Sequence, residues 1–253
     1  RFCKGILARK RNSSSTLMSE SNKQVPPDTG EILRKLHSPS VSMAGGVLLA
    51  GGKITTVIRR ISWTASGLES VEQLKEPVLF AANHQSHVDT HAILDVLPRQ
   101  QRNKTAVAAA FDHFGDVDGT SLKKRFLQFT VLAVWNAFGI ERSGTPIRSI
   151  RTMSALIQEG WSIVLYPEGT RSDTDEIAPF KGGLAIVAKL ANCPVVPIHV
   201  VGGRTILPKA TYIPRTGSMH ISFGKPLTMQ EDERAEDFTT RVEKSVHNLA
   251  GLR

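Results

Sequence analysis

The sequence predicts an α/β fold: a single domain with a mixed, largely parallel central sheet flanked by helices, preceded by an amphipathic helical N-terminal segment. From about residue 78 onward, short apolar runs alternate with longer segments of helical periodicity, which is typical of βα units. The length of 253 residues and the 40% content of hydrophobic residues allow one well-filled core.

The predicted elements follow one another in an alternating series. They are strand 78–82, helix 90–97, strand 105–110, helix 146–158, strand 162–166, helix 183–191, strand 195–201, strand 219–223 and helix 231–249. The helix at 146–158 has the clearest boundaries, because Thr145 is a preferred capping residue, Pro146 suits the first turn and Gly160 follows the end.

The region before this domain divides into two parts. Residues 1–30 are rich in Ser, Asn, Lys, Arg and Pro and lack apolar periodicity, which predicts a flexible tail or linker. Within 31–70, four apolar residues recur at helical spacing beside basic ones, which predicts an amphipathic helix that rests on anionic lipid; the apolar residues are Ile54, Val57, Ile58 and Ile61, and the basic ones Lys53, Arg59 and Arg60. A helix packed inside the protein is the alternative. The α/β domain itself is expected over 71–253.

A histidine and an aspartate follow the first predicted strand. In the string from His84 to Asp89, a neutral imidazole can take a proton from an alcohol, and the carboxylate can fix its tautomer. The hydroxyl of a bound substrate can then attack directly, without a serine or cysteine nucleophile on the protein. Because open α/β sheets bind ligands beyond the strand ends, the position favours a functional site.

Two other interpretations of this string stay open. Ser86 and Asp89 have the S-x-x-D spacing of a helix-capping pattern, in which Asp89 is only a carboxylate of the first turn. His84, His87 and His91 could also bind a metal with Asp89, since residues three and four apart share a helix face. No cysteine or further clustered ligand supports the second interpretation, and we predict no metal.

A second polar string, Glu168-Gly169-Thr170-Arg171, follows the predicted strand 162–166. It has good turn chemistry, because Gly169 can adopt a positive φ and Thr170 can cap a helix. Arg171 offers a planar fork of donors suited to phosphate, which a plain turn does not require. Backbone amides at the start of the helix 183–191 could add to an anion site.

Four strings in this order resemble the glycerolipid acyltransferase superfamily. They are the H-x4-D motif at 84–89, a glycine and arginine element at 138–142, the E-G-T-R-S element at 168–172 with Phe180-Lys181-Gly182, and the V-P-I element at 196–198. The match in order and spacing extends from about residue 75 to residue 225.

The resemblance implies an O-acyltransferase that moves a fatty acyl group from acyl-CoA or acyl carrier protein to a lysophospholipid hydroxyl. The typical acceptor is 1-acylglycerol-3-phosphate, which gives phosphatidate. Carried onto this chain, His84 is the general base and Asp89 its orienting partner. Val196 and Pro197 shape the adjoining wall. The residues that hold the polar head of the acceptor are Arg142, Glu168, Gly169, Thr170 and Arg171. No cofactor is implied.

One departure concerns the oxyanion that forms on the thioester carbonyl. Many members of the superfamily carry a lysine in the strand after the first motif, where this chain reads Ala108-Ala109-Ala110-Phe111. The remaining candidates for oxyanion donors are backbone amides or a nearby lysine such as Lys104. Two alternative functions stay open: a thioester hydrolase that delivers water, and a non-catalytic lipid-binding module of the same fold.

The charge balance favours anionic partners. Lys and Arg number 32 against 23 Asp and Glu, which gives a net charge of +9. No aromatic residues are interleaved with these charges as in nucleic-acid-binding modules, so we expect no nucleic-acid partner. Two cysteines are too few for a disulfide framework, which indicates a reducing compartment. We therefore expect peripheral contact with an anionic membrane at its cytoplasmic face.

Overall fold

The computed structural model describes residues 29–38, 56–110, 136–140, 147–209, 211 and 213–251. The strands are β1 (Ile61–Ser66), β2 (Leu79–Ala82), β3 (Thr105–Ala110), β4 (Ala137–Ile140), β5 (Ser162–Leu165), β6 (Val195–Val201) and β7 (Gly217–Phe223). The helices are α1 (Thr29–Leu36), α2 (Glu69–Glu72), α3 (His87–Val96), α4 (Arg99–Arg102), α5 (Ile147–Gln158), α6 (Gly183–Ala191), α7 (Gly203–Ile206) and α8 (Ala235–Gly251).

The strands form one mixed sheet with the order β1-β7-β6-β2-β5-β3-β4. All neighbouring pairs are parallel except β6 and β7, which are antiparallel. The carboxyl ends of β2, β5 and β6 therefore meet the amino ends of β1 and β7 at one edge of the sheet, called the site edge below. The predicted fold class, with its largely parallel sheet, is confirmed.

The central strands are apolar on both faces because helices cover both faces of the sheet. Phe80 of β2 pairs with Val164 of β5 on one side and with Val196 of β6 on the other. All residues of β2 and β5 are buried. Continuous apolar runs of this kind are typical of parallel strands covered on two faces. This covering makes the ends of β2 and β5 rigid points from which polar loops start.

Several predicted elements have the bounds that the structure shows, namely the strands 105–110 and 195–201 and the helix 183–191. The other predicted strands and helices are present with shifts of a few residues at their ends. Residues 145 and 146, which were expected to start α5, lie outside the described residues. Strands β1 and β4 were not predicted.

The prediction of an amphipathic helix across 54–61 is wrong at the C-terminal end of the helix. Residues 56–58 are helical, but Ile61 is the first residue of β1 and is buried. The polar residues after Ile61 give β1 an exposed face, and all six residues of β1 pair with β7. Of the tail predicted over 1–30, only residues 29 and 30 are described; they belong to α1, whose Leu36 packs into the core. Within the described ranges, no helix combines the length and apolar character needed to span a bilayer.

Candidate functional site

His84 follows β2 at the site edge, and its neighbour Asn83 fixes the end of this strand. The Asn83 side-chain amide donates to the Val200 carbonyl at 2.8 Å, and the Val200 N–H donates to the Asn83 amide oxygen at 2.7 Å. Both bonds are buried. This reciprocal pair extends the contact between β2 and β6 by one residue, so His84 leaves the sheet at a fixed position.

The His84 ring contacts the Asp89 carboxylate. His84 Nδ1 lies 3.1 Å from Asp89 Oδ2, and the same oxygen accepts the N–H groups of Gln85 at 2.7 Å and Ser86 at 2.6 Å. The bond at Nδ1 points Nε2 away from the carboxylate, and the ring is 12% exposed while Asp89 is fully buried. A neutral imidazole that donates from Nδ1 keeps the lone pair of Nε2 available for a proton.

Asp89 also has the helix-capping role that the sequence left open, in addition to its contact with His84. Ser86 is the N-cap of α3, and Ser86 and Asp89 form a capping box in which the carboxylate accepts the backbone N–H of the cap residue. One buried carboxylate thus starts the helix and orients the imidazole. The two interpretations left open by the sequence are therefore compatible.

Tyr166 covers one face of the imidazole. Its ring stacks on His84 with the centroids 3.9 Å apart and the planes inclined by 18°. The Tyr166 hydroxyl lies 2.8 Å from Thr90 Oγ1, and burial raises the pKa of the phenol well above its ordinary range. The stack and the Asp89 contact together restrict the orientation of the ring.

Glu168 connects the two polar strings through the backbone. Oε1 accepts the N–H of His84 at 2.6 Å, and Oε2 accepts the N–H of Ala178 at 2.9 Å. The side chain is 4% exposed. Since both carboxylate oxygens bind backbone amides, Glu168 positions the His84 loop, which differs from the acceptor-holding role that the resemblance implies.

The titration of Glu168 predicts a pH dependence of stability. Burial raises its pKa above the ordinary value of 4.5, although the two backbone hydrogen bonds oppose this shift. The folded protein then binds this proton more tightly than the unfolded chain does, so the contribution of Glu168 to stability falls as the pH rises from 4.5 through the raised pKa.

We expect Glu168→Gln to remove this dependence. The free energy of unfolding of the wild type minus that of the variant should decrease between pH 4.5 and the raised pKa, then level off. Urea unfolding of both proteins across this pH range measures the difference. A difference that increases with pH would show that the amide hydrogen bonds outweigh burial and that the pKa is lowered instead.

The rest of the second string lies beside the His84 loop. Gly169 has a φ of +78°, and a side chain at this position would collide with that of Lys181. Thr170 is exposed and Arg171 is half-buried, and neither has a hydrogen bond or ion pair to any residue that the structure describes. The N–H of Ser172 donates to the His84 carbonyl at 2.8 Å. Arg171 is therefore adjacent in sequence to a direct contact with His84.

Other residues expected at the site are placed differently. Arg142 lies outside the described residues. Val196 and Pro197 are buried inside β6, where they pair with Phe80 and Ala81, and do not lie at the end of the strand. The prediction of Lys104 as an oxyanion donor is wrong, because Lys104 precedes β3 at the edge of the sheet opposite the site edge. Its ammonium group lies 5.3 Å from the centre of the Trp161 ring.

The metal interpretation finds no grouping that supports it in the part of the chain that the structure describes. No three His, Cys, Asp or Glu side chains there come together as ligands. His87 lies on the first turn of α3 with its ring 6.5 Å from that of His84, measured between centroids. The His84 nitrogen nearest a carboxylate is used in the Asp89 contact.

Three residues of the site were not assigned a role from the sequence. Tyr166 and Asn83 stand directly after strands, which is the signal that could have identified them. Gly203, after β6, has no such signal: a side chain there would collide with Asp89 Oδ1, so the backbone of α7 packs directly against the carboxylate. Asp89 Oδ1 has no hydrogen-bond partner among the described residues.

Comparison with known proteins gives one family match. The family model described as Acyltransferase matches residues 62–201, which include both polar strings.

Curated relatives have related names. The chain is 26% identical over 174 residues to a chloroplastic 1-acyl-sn-glycerol-3-phosphate acyltransferase of Brassica napus, covering 64% of this chain and 44% of the relative. It is 24% identical over 189 residues to the enzyme of that name from Cocos nucifera, covering 72% and 55%. The chain spans about half the length of the curated relatives it matches.

A solved structure shares the fold. The 1-acyl-sn-glycerophosphate (LPA) acyltransferase PlsC from Thermotoga maritima superposes with a TM-score of 0.63 at 18% sequence identity. The match covers 93% of this chain and 94% of that chain. At this level of identity, the likeness concerns the fold alone.

Proposed function

The chain belongs to the acyltransferase family, and from that premise we propose that it transfers a fatty acyl group from acyl-CoA or acyl carrier protein to a lysophospholipid hydroxyl. The proposed acceptor is 1-acylglycerol-3-phosphate, as the names of the curated relatives suggest. The observation that carries the proposal is the contact of His84 Nδ1 with the buried Asp89 carboxylate at the site edge.

The proposed reaction is a direct transfer. Nε2 of His84 takes the proton of the acceptor hydroxyl as its oxygen attacks the thioester carbonyl carbon. The tetrahedral intermediate then breaks its carbon–sulfur bond, and the imidazolium returns the proton to the departing thiolate. Asp89 stabilises the imidazolium and holds the tautomer throughout. The products are phosphatidate and the free thiol of the carrier.

The loop contacts support this assignment. Tyr166 and Glu168 restrict the ring and the backbone of His84, which fits a base that must meet a hydroxyl at a defined angle. We assign Arg171, with Arg142, to the phosphate of the acceptor, because a guanidinium binds phosphate oxygens through two parallel hydrogen bonds.

The test is an acyl-transfer assay with the full chain. A long-chain acyl-CoA and, separately, an acylated carrier protein are offered with 1-acylglycerol-3-phosphate, glycerol 3-phosphate, other lysophospholipids, or no acceptor. We expect phosphatidate from 1-acylglycerol-3-phosphate. Free fatty acid formed equally with and without acceptor would identify a thioester hydrolase instead, and lipid binding without turnover would identify a binding module.

Replacing Arg171 with alanine should weaken the binding of the acceptor more than the binding of the acyl donor. Loss of a charge-assisted contact to phosphate is expected to raise KM for 1-acylglycerol-3-phosphate by about tenfold or more. KM for the acyl donor should change little. Saturation curves for the two substrates measure this, with Arg151→Ala on the exposed side of α5 as the matched control. An increase confined to the donor would reverse the assignment.

We also propose that the site edge contacts the membrane at its cytoplasmic face. Three of the most exposed large apolar side chains in the described ranges precede β1 and β7 at this edge, namely Val57 (77%), Ile58 (74%) and Ile213 (65%). Arg59 and Arg60 beside them are exposed. Apolar side chains next to cations suit the boundary of an anionic leaflet.

The double variant Val57→Asp, Ile58→Asp tests this contact. Each apolar side chain that enters the lipid stabilises binding by about 1.5–3 kcal/mol, so the variant should lose more than about tenfold in vesicle affinity. Cosedimentation with vesicles of phosphatidylcholine and phosphatidylglycerol measures the loss. The control is Ile186→Asp on α6, whose side chain is exposed at a different place. Equal loss in both variants would contradict a specific contact.

A further inference from the structure

A cavity of about 420 Å³ lies beside the His84 loop, on the β6 and β7 side of the sheet. Its walls come from the residues that follow the second polar string, from α7 and from the segment that joins α7 to β7. The lining residues that matter here are Ser172, Asp173, Arg204, Lys209 and Arg215. This volume lies within the range of small-molecule sites.

Two hydrogen bonds connect the cavity wall to the His84 loop. The N–H of Ser172, a lining residue, donates to the His84 carbonyl at 2.8 Å. On the other side, Ser86 Oγ donates to the carbonyl of Leu207 at 2.7 Å, directly before the lining residue Pro208. A ligand in the cavity is therefore next to the loop that carries the proposed base.

The cavity is basic. Three cations line it, Arg204, Lys209 and Arg215, against the carboxylate of Asp173 in the wall and that of Asp175, which pairs with Arg204 at 2.6 Å. Lys209 Nζ lies 2.7 Å from Asp173 Oδ2, and Arg204 Nη1 donates to the Asp173 carbonyl at 3.1 Å. These contacts hold the two side chains over the cavity while they remain 45% and 39% exposed.

Arg215 differs from Arg204 and Lys209 in the contacts of its side chain. Its backbone N–H donates to the Ile206 carbonyl at 2.7 Å, which fixes the loop against α7. Its side chain is exposed and makes no hydrogen bond or ion pair to another described residue. No described residue therefore competes with an anion for the donors of this guanidinium.

We propose that this cavity binds the phosphates of the CoA portion of the acyl donor. The inference rests on the proposed function, in which the acceptor phosphate is assigned to Arg171 and Arg142. Arg171 is not among the residues that line the cavity. The cavity is therefore open to the other substrate, the acyl donor, while Arg171 binds the acceptor beside it.

The charge of the cavity favours CoA over acyl carrier protein. CoA carries a diphosphate and a ribose phosphate, which match a cluster of several cations around one open cavity. The prosthetic group of a carrier protein carries only a single phosphodiester, and its recognition depends on the protein surface around it. Adenosine 3′,5′-bisphosphate is the fragment of CoA that carries the ribose phosphate and one phosphate of the diphosphate. It therefore tests the binding of these phosphates without the acyl chain.

The experiment compares Arg215→Glu with Lys244→Glu, a charge reversal at an exposed position of α8. Calorimetric titration with adenosine 3′,5′-bisphosphate measures binding without turnover, and saturation curves measure KM for acyl-CoA and for 1-acylglycerol-3-phosphate. We expect Arg215→Glu to raise both the Kd of the bisphosphate and KM for acyl-CoA by about tenfold or more. KM for the acceptor should stay constant, and Lys244→Glu should behave as the wild type.

Several outcomes would overturn the inference. An unchanged Kd for the bisphosphate in Arg215→Glu would show that the cavity does not bind it, and a rise in KM for the acceptor alone would assign the cavity to the other substrate. Either result leaves the proposed function intact if the wild type still makes phosphatidate. Conversely, binding of the bisphosphate that depends on Arg215, in a protein that transfers no acyl group, would support the cavity and contradict the proposed function.

Discussion

Replacing His84 with alanine is expected to reduce acyl transfer by about 10²–10⁴-fold while the protein stays folded. The ring is the proposed base, and its removal leaves the hydroxyl of the acceptor without a proton acceptor. The backbone contacts of His84 with Glu168 and Ser172 do not involve the ring, so the loop keeps its support. Initial rates with saturating donor and acceptor measure the loss, and thermal unfolding checks the fold.

His87→Ala is the matched control for this prediction. His87 lies in the same string, is exposed and has its ring near that of His84, whereas the Asp89 contact described above is made by the ring of His84. Its loss should change the rate by less than about tenfold. Near-normal transfer in His84→Ala would refute the general-base mechanism, and equal losses in both variants would point to a general disturbance of the loop.

Asp89→Asn is expected to reduce the rate by about 10³–10⁴-fold, as in other His and carboxylate pairs. The asparagine amide can donate to His84 Nδ1, which places the ring proton on Nε2, the nitrogen that must accept the proton of the acceptor. In this orientation the amide nitrogen replaces Oδ2, so the backbone N–H groups of Gln85 and Ser86 lose their acceptor. We also expect stability to fall by about 1–3 kcal/mol, since charge-assisted hydrogen bonds are lost.

Ser86→Ala separates the two roles of Asp89. This variant removes the hydroxyl that caps α3 and binds the Leu207 carbonyl, but it leaves the contact between His84 and Asp89. It should lower stability by about 1 kcal/mol with a much smaller loss of rate. Rates and urea unfolding of both variants decide between the roles. If both variants lost rate in proportion to stability, Asp89 would act only through the helix cap.

The central strands and the fold class could be predicted because continuous apolar runs have few other interpretations. Strand β6 and helix α6 are examples, with every predicted boundary correct. The edge strands β1 and β4 could not be predicted. Ile61 continues a helical apolar repeat, and its strand pairing is visible only when β7 is placed beside it. Strand β4 has four residues and contains Gly139, which weakens any strand signal.

In the candidate site too, contacts between residues that are close in the chain could be predicted, and contacts between distant residues could not. The contact of His84 with Asp89 could be predicted, because five residues at the start of a helix bring the two side chains together. The positioning by Glu168 could not, since its partners are backbone amides of two separate loops. The basic cavity could not be predicted either, because Arg204, Lys209 and Arg215 show no pattern in the sequence.

The close packing of Gly203 against Asp89 limits how this sequence can diverge. Any larger residue at 203 needs the space that the carboxylate occupies, so it would be tolerated only beside a smaller residue at position 89. A smaller residue there no longer supplies a carboxylate to His84. The two positions are therefore coupled by steric contact although they lie far apart in the chain. Descendants that keep this chemistry should keep glycine at 203, whatever else changes in the loop around it.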